Sequence, residues 1–343
     1  MVVWYNGGIE EKGRERMNGA FNWAIIGAGG IAEEMARAFA AMGRRPFGVA
    51  GRSWEKAQAF AQRCGADRLY ESPQQAFEDP EVNVVYLATP HNTHAALIEQ
   101  ALTAGKHVMC EKAITLNSRE LERCAALARE KKMILAEAMT IWHMPLYKEL
   151  WQRLASREWG RVQLLQLNFG SFKPYDMTNR FFSPELAGGA LLDIGVYALS
   201  CARSFLSSAP DQVLSRVKLA PTGVDEQAVI LLQNPESQMA TITMSLRSKL
   251  PKRAVIGCEN AYIEIDDYPR AQIARVVDAA TGVVTEVRAG ETARALEYEV
   301  AAMEQAVRTG DVSALHLDWT QDVMRTMTAL RQEWGVCYPG EEL

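Results

Sequence analysis

Between residues 21 and about 140, short apolar runs alternate with segments whose apolar residues recur at helical spacing. The apolar runs predict strands over 21–26, 47–50, 83–88, 107–110 and 133–136. The segments between them predict helices over 33–42, 54–64, 92–104 and 118–130. Alternation of this kind is typical of a doubly wound α/β fold, in which right-handed crossovers connect the strands of a parallel sheet.

The pattern changes after about residue 160. Strand-like runs over 161–169, 228–233, 239–246 and 261–265 are separated by turns with few helices between them. This texture predicts a second, α+β domain with an open, mostly antiparallel sheet. Amphipathic helices are predicted near the end of the chain, over 292–308 and 319–334. We therefore divide the chain into an extension (1–20), a first domain (21–140) and a second domain (141–343), whose last helices can return to the first domain.

A glycine turn joins the first predicted strand to the first helix. It carries Gly27, Gly29, Gly30, Ile31 and Ala32, a G-x-G-x-x-A pattern. The first glycine permits a tight turn, the second lets the backbone approach a pyrophosphate, and the small alanine lets helix and strand pack closely. The helix N-terminus then faces the phosphates with free N–H groups. A glycine-rich turn alone is ambiguous, but the strand and helix around it indicate a Rossmann domain that binds a dinucleotide.

The end of the second strand indicates which dinucleotide. NAD-binding folds place an acidic residue there to hold the ribose 2′-hydroxyl, whereas this chain has Gly51, Arg52 and Ser53. Glycine leaves room for a 2′-phosphate, arginine pairs with it, serine can donate a hydrogen bond, and Lys56 adds positive charge. We therefore expect NADP(H) to be preferred over NAD(H). The alternative is that Arg52 is only a solvated surface charge.

Composition narrows the class of protein. The 343 residues carry a net charge of −5, with 48% hydrophobic and 23% charged residues. A net negative charge gives no indication of a basic face that would bind nucleic acid or an anionic membrane. No apolar run reaches transmembrane length. Residues 1–20 are too charged for a secretory signal. Six scattered cysteines suggest free thiols without a metal site, so we expect a cytoplasmic protein.

Three more segments join the glycine turn. Thr89, Pro90, His91 and His94 follow one strand, Glu111 and Lys112 follow another, and a Gly-Gly-Ala-Leu-Leu-Asp-Ile-Gly-Val-Tyr segment ends at Tyr197. In this order and spacing the chain resembles the glucose-fructose oxidoreductase / inositol dehydrogenase / MocA family over about residues 21–340. It looks most like the branch that contains dimeric dihydrodiol dehydrogenase and NADP-dependent sugar dehydrogenases.

The resemblance implies a catalytic set. Hydride would pass between nicotinamide C4 and a carbinol or carbonyl carbon of a small-molecule substrate, with Lys112 beside the reacting oxygen and Tyr197 carrying the proton. Asp193, one helical turn before Tyr197, would orient Lys112 or a substrate hydroxyl. Burial can lower the pKa of Lys112 towards working pH, and Lys112 would lower the pKa of Tyr197. The alternatives are a surface lysine, a core tyrosine and a helix-capping aspartate.

The resemblance also implies which residues line the sites. Glu111 and the segment from Thr89 to His94 would line the cofactor crevice, although His94 is equally compatible with a structural role. Ala113 replaces a proline that often has a cis peptide bond, so we expect a trans bond. An arginine usual in the dihydrodiol branch is missing between 140 and 145. The candidate substrate contacts are therefore Trp142, His143 and Arg180, the last of which lies upstream of the segment that ends at Tyr197.

Two functions remain open. The first is an oxidoreductase acting on a sugar, polyol or cyclic diol. The alternative is a regulator that binds a nicotinamide nucleotide on the same scaffold without turnover. The resemblance also suggests a homodimer or homotetramer formed through the open face of the second sheet, because a one-sided sheet leaves apolar surface to cover.

Overall fold

A computed structural model describes residues 21–341, so the predicted extension over 1–20 lies outside the described residues. Within that range, the first sheet has six parallel strands in the order β3-β2-β1-β4-β5-β6. These strands are β1 (Trp23–Ile26), β2 (Gly48–Ala50), β3 (Arg68–Tyr70), β4 (Val84–Leu87), β5 (His107–Glu111) and β6 (Leu135–Ala138). The doubly wound parallel sheet is confirmed.

The helices of this half follow the strands in sequence. They are α1 (Gly30–Ala41), α2 (Trp54–Cys64), α3 (Pro73–Glu78), α4 (His94–Thr103) and α5 (Ser118–Lys131). The N-cap of α5 is Asn117, whose side chain accepts from the Glu120 amide, and the helix begins at Ser118 as predicted. The sequence did not predict β3 and α3, because β3 is a three-residue edge strand that is only partly buried and α3 has six residues.

The second sheet has eight strands in the described range, in the order β14-β13-β12-β11-β7-β10-β9-β8. Only β7 and β10 pair in parallel, so the sheet is mostly antiparallel, as expected. The strands are β7 (Val162–Gly170), β8 (Gln212–Leu219), β9 (Asp225–Gln233), β10 (Met239–Ser245), β11 (Leu250–Cys258), β12 (Ala261–Asp266), β13 (Ile273–Asp278) and β14 (Val284–Arg288). The prediction missed β8, β11, β13 and β14, whose polar outer faces interrupt any apolar run.

The remaining helices all follow β6 in the chain. They are α6 (Thr140–His143), α7 (Pro145–Ala155), α8 (Val196–Phe205), α9 (Ala295–Thr309) and α10 (Leu317–Trp334), and a π-helical turn over Leu191–Gly195 leads into α8. The segment Pro184–Phe205 is 22 residues long and contains an 18-residue window with a mean hydropathy of 1.3, which is long and apolar enough to cross a membrane. This corrects the expectation that no such run exists. Its apolar character reflects burial, since 78% of the window is buried inside the protein.

The last two helices return to the first domain. From α9, Glu304 accepts a hydrogen bond from Trp23 Nε1 in β1 at 2.9 Å. From α10, Arg331 donates to the carbonyl oxygen of Leu116 at 2.6 Å, and the Thr328 hydroxyl accepts from the Ser118 amide at 2.9 Å. One continuous apolar core therefore runs through both halves. This packing holds the end of β5 opposite the start of α8.

Candidate active site

A cleft of about 700 Å³ opens at the carboxyl ends of β1, β2 and β4. Parallel α/β sheets bind their ligands at this edge. The lining includes seven residues that were predicted to contact the cofactor, namely Gly27, Gly29, Arg52, Ser53, Lys56, Thr89 and Pro90. Gly30 and Ile31 begin α1 next to this cleft.

The glycine turn has the shape that a pyrophosphate requires. Gly27 has φ +119°, and a Cβ there would lie 2.3 Å from the carbonyl oxygen of Ala88, so no other residue fits. Gly29 is the N-cap of α1, and a Cβ at this position would meet no atom within 4 Å. The space in front of Gly29 is therefore open, and the N–H groups of the first turn of α1 face it. These residues fit the diphosphate of a nicotinamide dinucleotide.

The end of β2 carries two free cations. Arg52 and Lys56 are exposed, and neither side chain has an ion pair within residues 21–341. Ser53 caps α2: its hydroxyl accepts from the Lys56 amide at 3.4 Å and donates to Glu55 Oε2 at 3.0 Å. The hydroxyl proton of Ser53 is therefore directed at Glu55, which leaves Arg52 and Lys56 as the groups that can meet a phosphate.

Lys112 lies where the two domains meet. It directly follows β5, and its Nζ donates to the backbone carbonyl of Asp193 at 2.8 Å. The same ammonium lies 3.8 Å from Asp193 Oδ1 and 4.7 Å from the ring centroid of Tyr197. The structure thus brings the three predicted catalytic residues together across the domain boundary.

The pKa of Lys112 shifts in the opposite direction to the sequence-based expectation. Burial by itself would lower the pKa of the ammonium, but Tyr197, Asp193 and Glu111 outweigh burial and raise it. Lys112 therefore stays charged at neutral pH. It can stabilise negative charge on a reacting oxygen, but it is a poor proton acceptor there.

Asp193 lies in the π-helical turn and Tyr197 in the first turn of α8, and both side chains are partly exposed towards the site. Although burial opposes it, the charges of Lys112, Arg180, His91 and Lys173 lower the pKa of Asp193. Arg180 Nη2 lies 3.5 Å from Asp193 Oδ1, so this predicted substrate residue also reaches the cluster. Asp193 is thus a carboxylate shared by Lys112 and Arg180.

The pKa of Tyr197 is likewise raised and not lowered. Burial raises it most, and the buried carboxyl groups of Glu111 and Glu299 add to this, while Lys112 and Arg270 oppose it. The expected lowering depended on the neighbouring ammonium alone, whereas burial has the largest effect on the pKa of Tyr197. The phenol is therefore protonated at neutral pH and able to donate a proton.

Two histidines hold the segment after β5. The peptide bond between Lys112 and Ala113 is cis, which corrects the expected trans bond. The carbonyl oxygen of Lys112 lies 3.1 Å from His91 Nε2, and that of Ala113 lies 3.0 Å from His94 Nδ1. Since Ala113 and His94 are also fully buried, tertiary contacts fix the local backbone. His94 has the structural role that was the alternative to a cofactor contact.

Three predicted site residues lie away from the site. Glu111 points inward, where its carboxyl group accepts from the Tyr86 hydroxyl. Trp142 is fully buried and packs edge-on against His316 and Trp319, with centroids 6.2 Å apart in each case. His143 is also buried, and it lies beside Lys148 and Tyr298.

The short helix α6 explains why Trp142 and His143 fail as substrate contacts, because it turns its side chains into the core. Tyr86, whose hydroxyl donates to Glu111 and fixes it, was not among the predicted residues. The available signal was a lone tyrosine in the otherwise aliphatic buried strand β4.

Two family models match the chain. The model for the oxidoreductase family with an NAD-binding Rossmann fold, GFO_IDH_MocA, matches residues 21–139. The model for the GFO/IDH/MocA C-terminal domain matches residues 147–264.

Similar proteins include two trans-1,2-dihydrobenzene-1,2-diol dehydrogenases. The protein from Xenopus laevis is 28% identical over 331 residues, covering 93% of this chain and all of the relative. The protein from Danio rerio is 32% identical over 241 residues, covering 69% of this chain and 72% of the relative. Among solved structures, KijD10, a 3-ketoreductase from Actinomadura kijaniata in complex with NADP and TDP-benzene, superposes with a TM-score of 0.79 at 23% identity. That match covers 91% of this chain and 96% of KijD10.

Substitutions at the two glycines of the turn should differ in effect, one lowering the affinity for NADPH and the other lowering the stability of the protein. A Gly29→Val variant should keep the melting temperature within a few degrees, since its side chain enters open space, while its affinity for NADPH falls at least tenfold. A Gly27→Val variant should lose stability, because its Cβ would overlap the Ala88 carbonyl. Thermal unfolding and NADPH fluorescence titration measure the two effects. Unchanged NADPH affinity in a folded Gly29→Val protein would contradict the site.

Proposed function

The chain belongs to the GFO/IDH/MocA family of oxidoreductases, and we propose that it uses NADP(H) with Lys112 and Tyr197 as its catalytic pair. The first domain of this family is an NAD-binding Rossmann fold, and the chain is an oxidoreductase that acts on CH–OH groups. The observation that carries the proposal is the Lys112 ammonium, held between Asp193 and the ring of Tyr197 at the carboxyl edge of the first sheet.

Each side chain of the site has a separate role in carbonyl reduction. The nicotinamide, when bound, supplies or accepts the hydride at C4. Tyr197 holds a proton on its hydroxyl at neutral pH and transfers it to the carbonyl oxygen of the substrate. Lys112 stabilises the negative charge that develops on that oxygen, and Asp193 holds Lys112 in place through its backbone carbonyl. Alcohol oxidation uses the same groups in reverse and requires Tyr197 to be deprotonated first.

Preference for NADP(H) rests on the end of β2. Arg52 and Lys56 border the cleft without ion-pair partners among residues 21–341, and no carboxylate occupies the position that would hold a ribose 2′-hydroxyl. An exposed guanidinium binds a phosphate through paired, charge-assisted hydrogen bonds. The NADP in the KijD10 complex supports the same choice.

The substrate class follows from the relatives and from the site together. The relatives are named for a cyclic diol, and KijD10 for a ketone. The rings of Tyr197, Phe169 and Phe181 lie around the Lys112 cluster and suit the face of a ring. We propose a sugar, a polyol or a cyclic diol as the substrate.

We also propose a cytoplasmic homo-oligomer in which a second copy covers the outer face of the second sheet. Several large apolar side chains are exposed on this sheet, including Leu164, Leu214, Val229, Met239 and Tyr262. Patches of this kind usually mark interaction sites. The six free cysteines support a reducing compartment.

Replacing Arg52 tests the cofactor preference. In Arg52→Ala, the Kd for NADPH should rise at least tenfold, because charge-assisted hydrogen bonds to the 2′-phosphate are lost, whereas the Kd for NADH should stay within about twofold. Fluorescence titration measures both values. Arg129→Ala, which removes an exposed charge from the end of α5, is the matched control and should change neither. Equal losses for NADPH and NADH in Arg52→Ala would remove Arg52 from the phosphate site.

Replacing Lys112 tests the proposed function itself. Lys112→Met should lower kcat for carbonyl reduction at least 100-fold, because one electrostatic donor is typically worth about 10²–10³ in rate. Its Kd for NADPH should remain within a few-fold, since phosphate binding depends on the glycine turn and Arg52. NADPH absorbance with a panel of sugar ketones and diketones gives kcat. Retention of more than about a tenth of kcat would exclude Lys112 from the chemistry, and a wild type that binds NADPH without any turnover would indicate a regulator.

A further inference from the structure

Three cations that have no role in the proposed chemistry lie around Lys112, and we call the region that they line the mouth of the site. The loop after β7 contributes Lys173 and Arg180, and β11 contributes Lys252. Besides burial, the charges acting on Lys173 are those of Asp193, Arg180, Lys112 and Lys252, three of them cations. The three added cations therefore form one electrostatic group with Lys112.

Aromatic rings fix the positions of these cations. Lys173 Nζ lies 4.2 Å and Arg180 Cζ 4.1 Å from the centroid of the same ring, Phe181. On the other side, Lys252 Nζ lies 5.2 Å from the centroid of Phe169, and that ring lies 6.0 Å from Tyr197. Each cation is thereby held near the reacting groups by a cation–π contact, which leaves its N–H groups free for a ligand.

The position of Lys252 depends on an irregularity in the sheet. The register between β11 and β7 shifts between Leu250 and Arg253. Such a bulge re-aims a side chain at the edge of a site. Phe169 is buried on the inner face of the sheet, so a Lys252 ammonium over its ring lies on the side of Tyr197.

The nearby carboxylates do not neutralise this group. Asp193 is shared by Lys112 and Arg180. The loop's own carboxylates, Asp176 and Glu185, accept hydrogen bonds from Thr178 and Ser183 and remain charged. Neither forms an ion pair with the cations of this group within residues 21–341, and neither is among the charges that act on Lys173. Lys173 and Lys252 have no ion pair within the described range 21–341. The mouth of the site consequently carries an excess of positive charge although the whole chain has a net charge of −5.

From this arrangement we infer that the substrate is anionic: a sugar or polyol that carries a phosphate ester, which Lys173, Arg180 and Lys252 hold while its carbonyl or CH–OH group faces Lys112 and Tyr197. This inference rests on the proposed function, because it describes the substrate of the same site. A phosphate monoester carries close to two negative charges at neutral pH, which matches the excess better than a single carboxylate does. Clusters of one sign also attract the oppositely charged substrate and speed its association.

The test compares D-glucose, D-glucuronate and D-glucose 6-phosphate as probes of binding. Binding of each probe is measured by calorimetric titration at low salt. The protein is saturated with NADP, so that the probes cannot occupy the sites of the cofactor's own phosphates. Glucose 6-phosphate should bind at least tenfold tighter than glucose and tighter than glucuronate, with the advantage shrinking as KCl is raised. In the double variant Lys173→Gln/Lys252→Gln, the ratio of the affinity for glucose 6-phosphate to the affinity for glucose should fall at least tenfold. The control Arg129→Gln/Lys131→Gln removes the same charge from α5 and should leave the ratio unchanged.

Equal binding of glucose and glucose 6-phosphate, or a ratio that survives the Lys173→Gln/Lys252→Gln change, would overturn the inference. Tighter binding of glucuronate would overturn the phosphate assignment. Because this readout needs no turnover, a failure of the inference can be told apart from a failure of the proposed function. An enzyme that reduces neutral ketoses as well as their phosphate esters would support the proposed function and refute the anionic substrate. Tight binding of glucose 6-phosphate without hydride transfer would support the anionic ligand and refute the proposed function.

Discussion

The hydrogen bond from Lys112 Nζ to the backbone carbonyl of Asp193 joins the two halves of the molecule at the point where chemistry takes place. Lys112 belongs to the parallel sheet that carries the glycine turn, and Asp193 belongs to the turn that leads into α8. Neither residue can be placed correctly unless the domains are docked. The returning helices α9 and α10 contact β1 and the start of α5, and so maintain that docking. Relative placement of cofactor cleft and proton donor is therefore a property of the whole fold.

Charge at the site is set by burial as much as by neighbouring groups. Burial raises the pKa of Glu111, and burial raises that of Glu137 to about 7, while Asp193 keeps a lowered pKa next to Lys112 and Arg180. The formal counter-charge to Lys112 is therefore Asp193, and the inward carboxyl groups hold protons more readily than ordinary acids do. This arrangement keeps Lys112 charged and Tyr197 neutral, the protonation states that carbonyl reduction requires.

Much of the fold could be predicted from periodicity, because the buried parallel strands are continuous apolar runs and the helices between them are amphipathic. The glycine turn was predictable for a different reason: the backbone leaves no room for a side chain at Gly27, and the open space at Gly29 suits a pyrophosphate, so both positions leave a sequence pattern. The directions of the pKa shifts were not predictable, since they depend on burial and on Glu299, which is distant in sequence. Trp142 and His143 were assigned wrongly because adjacency along the chain does not reveal which way the short helix α6 turns its side chains. The cations at the mouth come from separate segments that only the fold brings together.

The most direct test of the account is the pH dependence of kcat/KM for carbonyl reduction, measured with NADPH for the wild type and for Tyr197→Phe. A proton donor whose pKa lies above the ordinary phenol value of 10.0 predicts a wild-type rate that is flat through neutral pH and falls only at strongly alkaline pH. The variant, which keeps the ring but lacks the proton, should be slower by about 10²–10⁴ and should lack that alkaline limb. A variant with wild-type activity and an unaltered profile would contradict the account, because another group would then carry the proton.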